Sequence, residues 1–365
     1  MKRILYITNG VKGAAGLERV LSVKVSYLAD QLGYDVHILT LNNRGAKPFY
    51  DFSPKIIMHD IAVGGNPIQY FKSYHQGIKS VVAAVKPDVI SVCDDGLKGF
   101  FLPILLRKPC AMVYERHVSK VIALGENPSA MRMLLMAAQF KLMNFLGKRF
   151  DKFVVLTHEN TKEWQLNNMA VIANPLSFYP VESSSLTEKK VIAVGKQGFQ
   201  KGFDRLLQSW NIVHEKHPDW KLEIYGTIDP AQKLDMMADA LGISGVVSFF
   251  NPVKDIDQKY LSSSVFAFSS RFEGFGMVLI EAMACGVPCV SFDCPCGPSD
   301  IIKEGEDGFL VENGNVKLFA ERLLSVIEDD NRRRKMGAAA KQNVKRYLPE
   351  IIVPQWDALF KSLTA

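Results

Sequence analysis

The sequence predicts an α/β protein built from two units of parallel β-sheet, and three observations lead to this prediction. The chain has 365 residues, a length typical of about two domains. Short apolar runs with strand character alternate with longer segments of helical periodicity, as they do in βαβ units. The alternation stops at residues 175–190, which are rich in serine and proline, and then starts again.

The N-terminal half alternates predicted strands with predicted helices. Its most apolar long segment, residues 130–150, contains Arg132 and Lys141, whereas a membrane-spanning helix needs about 20 residues with few or no charges. We therefore expect a helix that packs against the N-terminal sheet, with docking on an anionic membrane surface as the alternative. The predicted strands are 3–8, 35–41, 88–92, 112–114, 152–156 and 170–172, and the other predicted helices are 17–32, 70–85 and 159–166.

The C-terminal half repeats this alternation. Its predicted strands are 191–194, 221–225, 246–250, 265–269 and 288–292, and its predicted helices are 204–216, 231–241, 277–284, 316–327 and 332–347. We therefore divide the chain into a first α/β domain (1–175), a linker (176–190), a second α/β domain (191–347) and a helical segment (348–365). Open α/β sheets bind ligands at the carboxyl ends of their strands, so we expect the site at those ends.

Composition excludes several classes of protein. With 48% hydrophobic and 22% charged residues, the chain has too much apolar material for a disordered protein. Its six cysteines are too few for a disulfide scaffold. The formal net charge of +6 suits attraction to an anionic ligand or surface. The first apolar run is too short for a signal peptide, and we expect a cytoplasmic protein.

The strongest local pattern lies in residues 270–286. A glycine-containing loop with Glu273 and Gly276 joins a strand to a helix, and the N–H groups at the start of a helix suit a phosphate. Glu281 follows eight positions after Glu273 and is surrounded by apolar side chains. A buried carboxylate there needs a partner such as the hydroxyls of a ligand. The alternative is a glutamate on the solvent edge of the helix.

Three other loops contain candidate residues. Lys196 and Lys201 lie in a glycine-rich loop after a strand and could bind a diphosphate, or they are solvated loop lysines. The loop 9–16 has the spacing G-x-x-G-x-x-G, which differs from the dinucleotide-binding motif, so it is a phosphate or sugar loop or a plain tight turn. His117 follows another strand and could bond a substrate hydroxyl, or it has a structural role.

A metal site is not expected. Four cysteines lie close together in the sequence, but their spacing, C-x3-C-x4-C-x-C, is not that of a usual zinc site. Small buried residues are the interpretation that we prefer for Cys285, Cys289, Cys294 and Cys296.

Together these segments resemble retaining glycosyltransferase family 4, which is part of the glycosyl transferases group 1. The spacing of Glu273 and Glu281 is similar to the family's E-x7-E pattern. Residues 194–207 are similar to its donor-phosphate loop, and residues 297–311 resemble the segment that follows the second glutamate. The N-terminal half is less similar, through the first glycine loop and the triplet that ends at His117.

The resemblance implies the GT-B fold, in which two Rossmann-like domains with parallel sheets face each other across a central cleft. The N-terminal domain would bind the acceptor, and the C-terminal domain would bind a nucleotide-sugar. The helical segment 348–365 would pack back toward the N-terminal domain. The resemblance also implies that the enzyme needs no metal ion or other cofactor and that the anomeric configuration of the sugar is retained.

Two residues are expected to be catalytic by this resemblance. Glu273 would contact the donor hexose, and His117 would lie beside the transferred sugar. Glu281 would hold the ribose of the donor. These roles are carried over to this chain only because the residues stand at positions that match the family's motifs.

The remaining expected site residues bind the donor phosphates. Lys196 and Lys201 would bind the diphosphate, together with the amides near Phe275 and Gly276, and Gly16 would approach the phosphates from the N-terminal domain. The family usually has arginine where Lys196 stands, and lysine lacks the two-pronged geometry of a guanidinium.

The resemblance implies a hexosyltransferase that moves a hexose or N-acetylhexosamine from a nucleotide-sugar, first of all a UDP-sugar. The acceptor would be a glycan or a lipid-linked saccharide, in the synthesis of a bacterial surface polysaccharide. Peripheral contact with the anionic inner membrane is an expected partner interaction, and nucleic acid is not. The alternatives are a sugar-nucleotide epimerase or hydrolase of the same fold and a non-catalytic protein that binds sugar nucleotides.

Overall fold

The computed structural model describes most of the chain, namely residues 2–14, 16–94, 96–123, 125 and 128–364. The chain forms two compact units, Met1–Ser177 together with Pro349–Ala365, and Phe178–Leu348. The boundary between them falls inside the segment 176–190, most of which belongs to the C-terminal unit. Leu186 of that segment is buried, and its carbonyl accepts a hydrogen bond from Nε of Arg333.

The N-terminal unit is built on one parallel sheet. Its strands are β1 Arg3–Thr8, β2 Asp35–Leu41, β3 Ile57–Ile61, β4 Val89–Cys93, β5 Ala111–Glu115, β6 Lys152–Val155 and β7 Met169–Val171. They lie in the order β3-β2-β1-β4-β5-β6-β7, and each neighbouring pair is parallel. The central strands β1 and β4 are buried almost throughout, as expected for a parallel sheet with helices on both faces.

The C-terminal unit has a second parallel sheet. Its strands are β8 Lys190–Val194, β9 Lys221–Tyr225, β10 Val247–Phe250, β11 Val265–Phe268, β12 Cys289–Asp293 and β13 Gly308–Glu312. Their order is β10-β9-β8-β11-β12-β13, again with parallel neighbours. A core of aliphatic and aromatic side chains, including Trp210 and Phe319, fills the space between this sheet and its helices.

Helices follow most of the strands. They are α1 Gly16–Asp30, α2 Pro67–Val85, α3 Leu97–Phe100, α4 Leu102–Leu105, α5 Ala130–Gly147, α6 His158–Thr161, α7 Phe203–Lys216, α8 Leu234–Ala240, α9 Ile256–Leu261, α10 Met277–Ala284, α11 Pro298–Ile301, α12 Val316–Ile327, α13 Asp330–Asn343 and α14 Pro349–Leu363. Four short helices, α3, α4, α9 and α11, were not predicted because they are too short to show a helical period.

Two strands were also not predicted, β3 and β13. Both lie at an edge of their sheet. In β3 the apolar side chains of Ile57 and Met58 are exposed, so the strand has no buried apolar run. β13 directly follows residues 303–307, whose glycine and charged residues predict a loop.

The strand orders place ligand-binding loops in both units. The direction of winding reverses between β1 and β4 in the first sheet and between β8 and β11 in the second. Loops at the carboxyl ends of strands beside such a reversal leave space for a ligand. The predicted site loops that start after Thr8 and after Val194 lie at these two positions.

Helix α5 is exposed over its first half. Met131 and Leu134 are 66% and 67% exposed, and Met133, Leu135 and Phe145 are also more than half exposed. The buried residues of α5 are Met143, Leu146 and Gly147, all in its last turns. The expected packing against the unit therefore holds for the last turns only. Among the described residues, no helix is long and apolar enough to cross a membrane.

Helix α14 belongs to the N-terminal unit and packs on α1. Trp356 and Phe360 are buried. Tyr34 donates a hydrogen bond to Asp357 over 2.5 Å, and its ring contacts Phe360. Helix α14 thereby packs against the helix of the first βαβ unit and the turn that follows it.

A pair of histidines joins strands β2 and β3. Nδ1 of His37 lies 2.8 Å from Nε2 of His59, and the rings are stacked. His37 also faces Asp35, which pairs with Arg3. Burial lowers the pKa of both imidazoles; Arg3 lowers that of His37 further, and His37 lowers that of His59, while Asp35 raises that of His37.

We expect the stability of the N-terminal unit to fall when the pH drops below about 6.5. Because these folded-state pKa values lie below the ordinary value, the unfolded chain binds more protons there, and the stabilising contribution is present only at higher pH. The measurement is Tm between pH 8 and pH 5 for wild type and His59→Gln. The variant should show a smaller decrease on acidification. An identical decrease would contradict the prediction.

Candidate active site

The loop after β8 holds the two predicted lysines in different settings. The loop ends in a short 3₁₀ turn, Phe199–Lys201, which Gly202 terminates with a left-handed φ of 62°. Lys201 is half-buried. Its methylene groups pack against Gly195 so closely that a Cβ on Gly195 would lie 2.9 Å from Cε of Lys201. Lys196 is exposed.

Lys201 and Glu273 form an ion pair, with 2.7 Å between Nζ and Oε1. The same Oε1 accepts a hydrogen bond from Ser270 over 2.6 Å. Glu273 is 6% exposed, so the carboxylate is held in place by two donors. The structure therefore brings together two residues that the sequence analysis placed in separate roles. Ser270 was not predicted, although it lies in the same segment.

A second contact braces these two loops. The guanidinium of Arg271 binds both carboxylate oxygens of Asp204, over 2.8 and 2.6 Å, and donates to the carbonyl of Phe199. Burial would raise the pKa of Asp204, but Arg271 and backbone hydrogen bonds together lower it. These contacts of Arg271 hold the loop of Lys201 against the loop of Glu273. The pairing of Arg271 with Asp204 could not be predicted because the two residues are far apart in the sequence.

The N-terminal end of α10 follows the Glu273 loop. Gly276 precedes the helix with a φ of 100°, and no side chain caps this end. The first N–H groups of a helix have no acceptor within the helix, so this end can bind an anion. Phe275 is buried and contacts Tyr347 edge to face. Its carbonyl lies against Gly297, where a Cβ would come within 2.1 Å of it.

Glu281 lies inside α10 and is 2% exposed. The alternative of a glutamate on the solvent edge is therefore wrong. Its neighbours Leu279, Ile280, Ala282 and Met283 are also buried. Burial raises the pKa of the nearby Cys285 thiol, and the charges of Asp257 and Glu281 raise it further.

The two predicted residues of the N-terminal unit lie at different loops of that unit. Gly16 is exposed and is the first residue of α1. His117 follows β5, and its side chain is 6% exposed. Its Nε2 lies 3.1 Å from Oε2 of Glu115, which the sequence analysis did not assign a role.

One group of side chains in this unit has the composition of a metal site. Ligand atoms of Cys93, Glu115 and His117 lie within 4.8 Å of one another. However, the ammonium group of Lys24 bonds to Glu115 and is itself buried. A metal ion would have to share this carboxylate with a second cation in a medium that screens charge poorly, so the group fits an ion-pair network better. The four clustered cysteines of the other unit are free thiols and are buried.

Comparison with known proteins shows that this chain is similar to glycosyltransferases. Residues 179–343 match the family of glycosyl transferases group 1. The chain is 29% identical to an uncharacterized glycosyltransferase of Haemophilus influenzae, over 98% of this chain and 100% of that protein. It is also 29% identical to the amylovoran biosynthesis glycosyltransferase AmsD of Erwinia amylovora, over 98% of this chain and 99% of that protein.

Solved structures show the same fold. The sucrose-phosphate synthase of Thermosynechococcus elongatus superposes with a TM-score of 0.86 at 18% identity, over 100% of this chain and 99% of that one. A variant of TarM from S. aureus, in complex with fondaparinux, α-GlcNAc-glycerol and UDP, superposes with a TM-score of 0.79 at 16% identity, over 99% and 100% of the two chains.

Fold and comparisons together define the class of protein, a GT-B glycosyltransferase that acts as a hexosyltransferase. The residues that match the glycosyl transferases group 1, 179–343, lie in the C-terminal unit.

Proposed function

We propose that the chain transfers a hexose or N-acetylhexosamine from a nucleotide-sugar, preferentially a UDP-sugar, to a glycan or lipid-linked saccharide, with retention of configuration. The observation that carries this proposal is the ion pair of Lys201 with the buried Glu273, beside the start of α10, which no side chain caps. It combines a cation for a leaving phosphate with a carboxylate for a sugar that becomes positively charged. AmsD acts in amylovoran biosynthesis, and TarM was solved with UDP, which supports a role in bacterial surface polysaccharide synthesis.

Each residue has a proposed role at the donor. Lys201, Lys196 and the amides near Phe275 and Gly276 bind the diphosphate and stabilise the charge that develops on it. Glu273 contacts the hexose. Glu281 binds the ribose, and His117 contacts the transferred sugar. Gly16 approaches the phosphates.

The proposed reaction proceeds on one face of the sugar without a covalent enzyme intermediate. The bond between the anomeric carbon and the phosphate oxygen breaks as the acceptor hydroxyl forms the new bond. The proton of that hydroxyl moves to the departing phosphate oxygen. Glu273 and His117 position the sugar and stabilise its oxocarbenium-like charge, and no metal ion or other cofactor takes part.

The proposal is tested by nucleotide release from UDP-, GDP- and ADP-sugars, with and without EDTA. Wild type is compared with Glu281→Ala, Lys201→Ala and, as a control, Glu321→Ala, which removes an exposed helix carboxylate of the same unit. We expect slow release of one nucleotide that resists EDTA, is lost in the first two variants and is retained in the control. Saturation-transfer NMR with the same donors distinguishes a missing acceptor from a missing donor site. Absence of binding to every donor would contradict the proposal.

We also propose that the protein works in the cytoplasm and contacts the anionic inner face of the membrane through the exposed half of α5. Residues 130–149 contain no acidic side chain. The basic residue Arg132 is exposed in this half, and Lys141, Lys148 and Arg149 are exposed in the second half and just after the helix. Lysine and arginine near an anionic surface contribute about 1 kcal/mol each, and apolar side chains add to this by insertion.

Cosedimentation with vesicles tests this contact. We expect binding to vesicles rich in phosphatidylglycerol, weaker binding to phosphatidylcholine, and a loss in the variant Leu134→Glu/Leu135→Glu. Met236→Glu, which changes an exposed apolar residue of the other unit, is the control and should bind normally. Equal sedimentation of the wild type with and without vesicles would disprove the contact.

A further inference from the structure

Helix α1 carries a lysine among its buried residues. Lys24 is 1% exposed and lies on the same face of the helix as Val25 and Leu28. Its ammonium group bonds to Glu115 of β5 and lies 4.1 Å above the ring of Trp356 from α14. Three elements of the N-terminal unit therefore enclose this charge and remove it from water.

Glu115 is the centre of the network around this lysine. The residue is fully buried and accepts hydrogen bonds from Lys24, from Ser91 over 2.6 Å and from Nε2 of His117 over 3.1 Å. Burial alone would raise the pKa of Glu115, but the charge of Lys24 and the bond from His117 lower it to about 2. Glu115 is therefore a carboxylate at every physiological pH.

Stability alone does not explain this arrangement. A buried ion pair loses hydration from both ions, and replacing such a pair by apolar side chains of similar volume is often neutral or stabilising. The pair does provide one thing that apolar residues cannot, a charged acceptor at a fixed position beside His117. An acceptor on one ring nitrogen fixes both the tautomer and the orientation of an imidazole.

We infer that Lys24 and Glu115 are positioning residues for His117. Lys24 keeps the carboxylate of Glu115 charged and in place, and Glu115 accepts the Nε2 hydrogen and holds the ring in one orientation toward the transferred sugar. The inference rests on the proposed function, in which His117 contacts that sugar. It adds two residues from α1 and β5 that touch neither donor nor acceptor.

The test compares Lys24→Met with the double variant Lys24→Met/Glu115→Met, whose side chains have similar length and no charge. Lys55→Met is the control, because Lys55 is exposed and pairs with Asp30 at the end of the same helix. For each protein we measure Tm, the Kd of the donor and kcat of the transfer or of donor hydrolysis.

The expected results separate positioning from stability. Lys24→Met leaves a buried carboxylate without its cation, and its Tm should fall by about 10 °C. The double variant should recover the Tm of the wild type, bind the donor within about threefold and show a kcat about 100-fold lower, since a displaced contact group has an effect of this size. Lys55→Met should match the wild type throughout.

Two outcomes would overturn the inference. One is a double variant with recovered Tm and a kcat close to that of the wild type. If the double variant does not fold, Glu115→Asp is measured instead, because it keeps the charge but withdraws the carboxylate from His117. The second overturning outcome is then a Glu115→Asp variant that retains full kcat. His117→Ala distinguishes the inference from the proposed function. If His117→Ala is fully active, the proposed role of His117 is wrong. If His117→Ala is inactive and the double variant is active, only the inference about Lys24 and Glu115 is wrong.

Discussion

Gly226→Ala is expected to destabilise the C-terminal unit and to abolish donor binding. Gly226 follows β9 with a φ of 153°, and a Cβ there would lie 1.9 Å from the carbonyl oxygen of Gly195. The N–H of Gly195 in turn bonds to the carbonyl of Tyr225 over 2.8 Å. The two backbones are in direct contact, so alanine must push the lysine loop away from its place.

The expected loss is about 4 kcal/mol in the free energy of unfolding, the sum of backbone strain and overpacking. Gly198→Ala is the matched control, because Gly198 lies in the same loop with no atom within 4 Å of its Cβ position and no positive φ. Urea denaturation and donor titration measure both variants. The prediction is wrong if the two variants are equally stable.

Glu273→Gln should lower kcat by a factor of about 10² to 10³ while changing donor affinity much less. The glutamine has nearly the same shape but lacks the charge that would stabilise a positively charged sugar. It also leaves Lys201 without its ion-pair partner. The expected reduction therefore appears in the chemical step.

Two further variants are compared with Glu273→Gln to show how much of the loss in kcat is due to the charge. Ser270→Ala removes one hydrogen bond to Glu273 and keeps the charge, so its kcat should fall by only a few-fold. Glu321→Gln removes a surface carboxylate and should have no effect. Single-turnover rates at saturating donor, combined with donor Kd values, are the measurement. A kcat of Glu273→Gln equal to that of Ser270→Ala would show that the charge has no role.

The sequence alone was sufficient for the α/β class and for the resemblance to glycosyltransferases, and the physical reason is local. Buried parallel strands are continuous apolar runs, and the helices between them show their own period, so both can be recognised within a short window. Glu273 lies on a loop and Glu281 on the helix that follows it, so their spacing can also be recognised in the sequence. The edge strands β3 and β13 were missed because they have little buried apolar surface or follow a charged loop.

Only the tertiary structure decided which charges meet. Lys201 and Glu273 are 72 residues apart, and Lys24 and Glu115 are 91 residues apart. The order of strands in each sheet brings such residues together, and no local pattern encodes that order. Lys24 did leave one signal, a charge on the apolar face of α1, but its meaning depends on the carboxylate that β5 places beside it. The sequence thus determined the class of protein and the candidate donor residues, whereas the fold determined their ion pairs, because long-range charge pairing follows from topology.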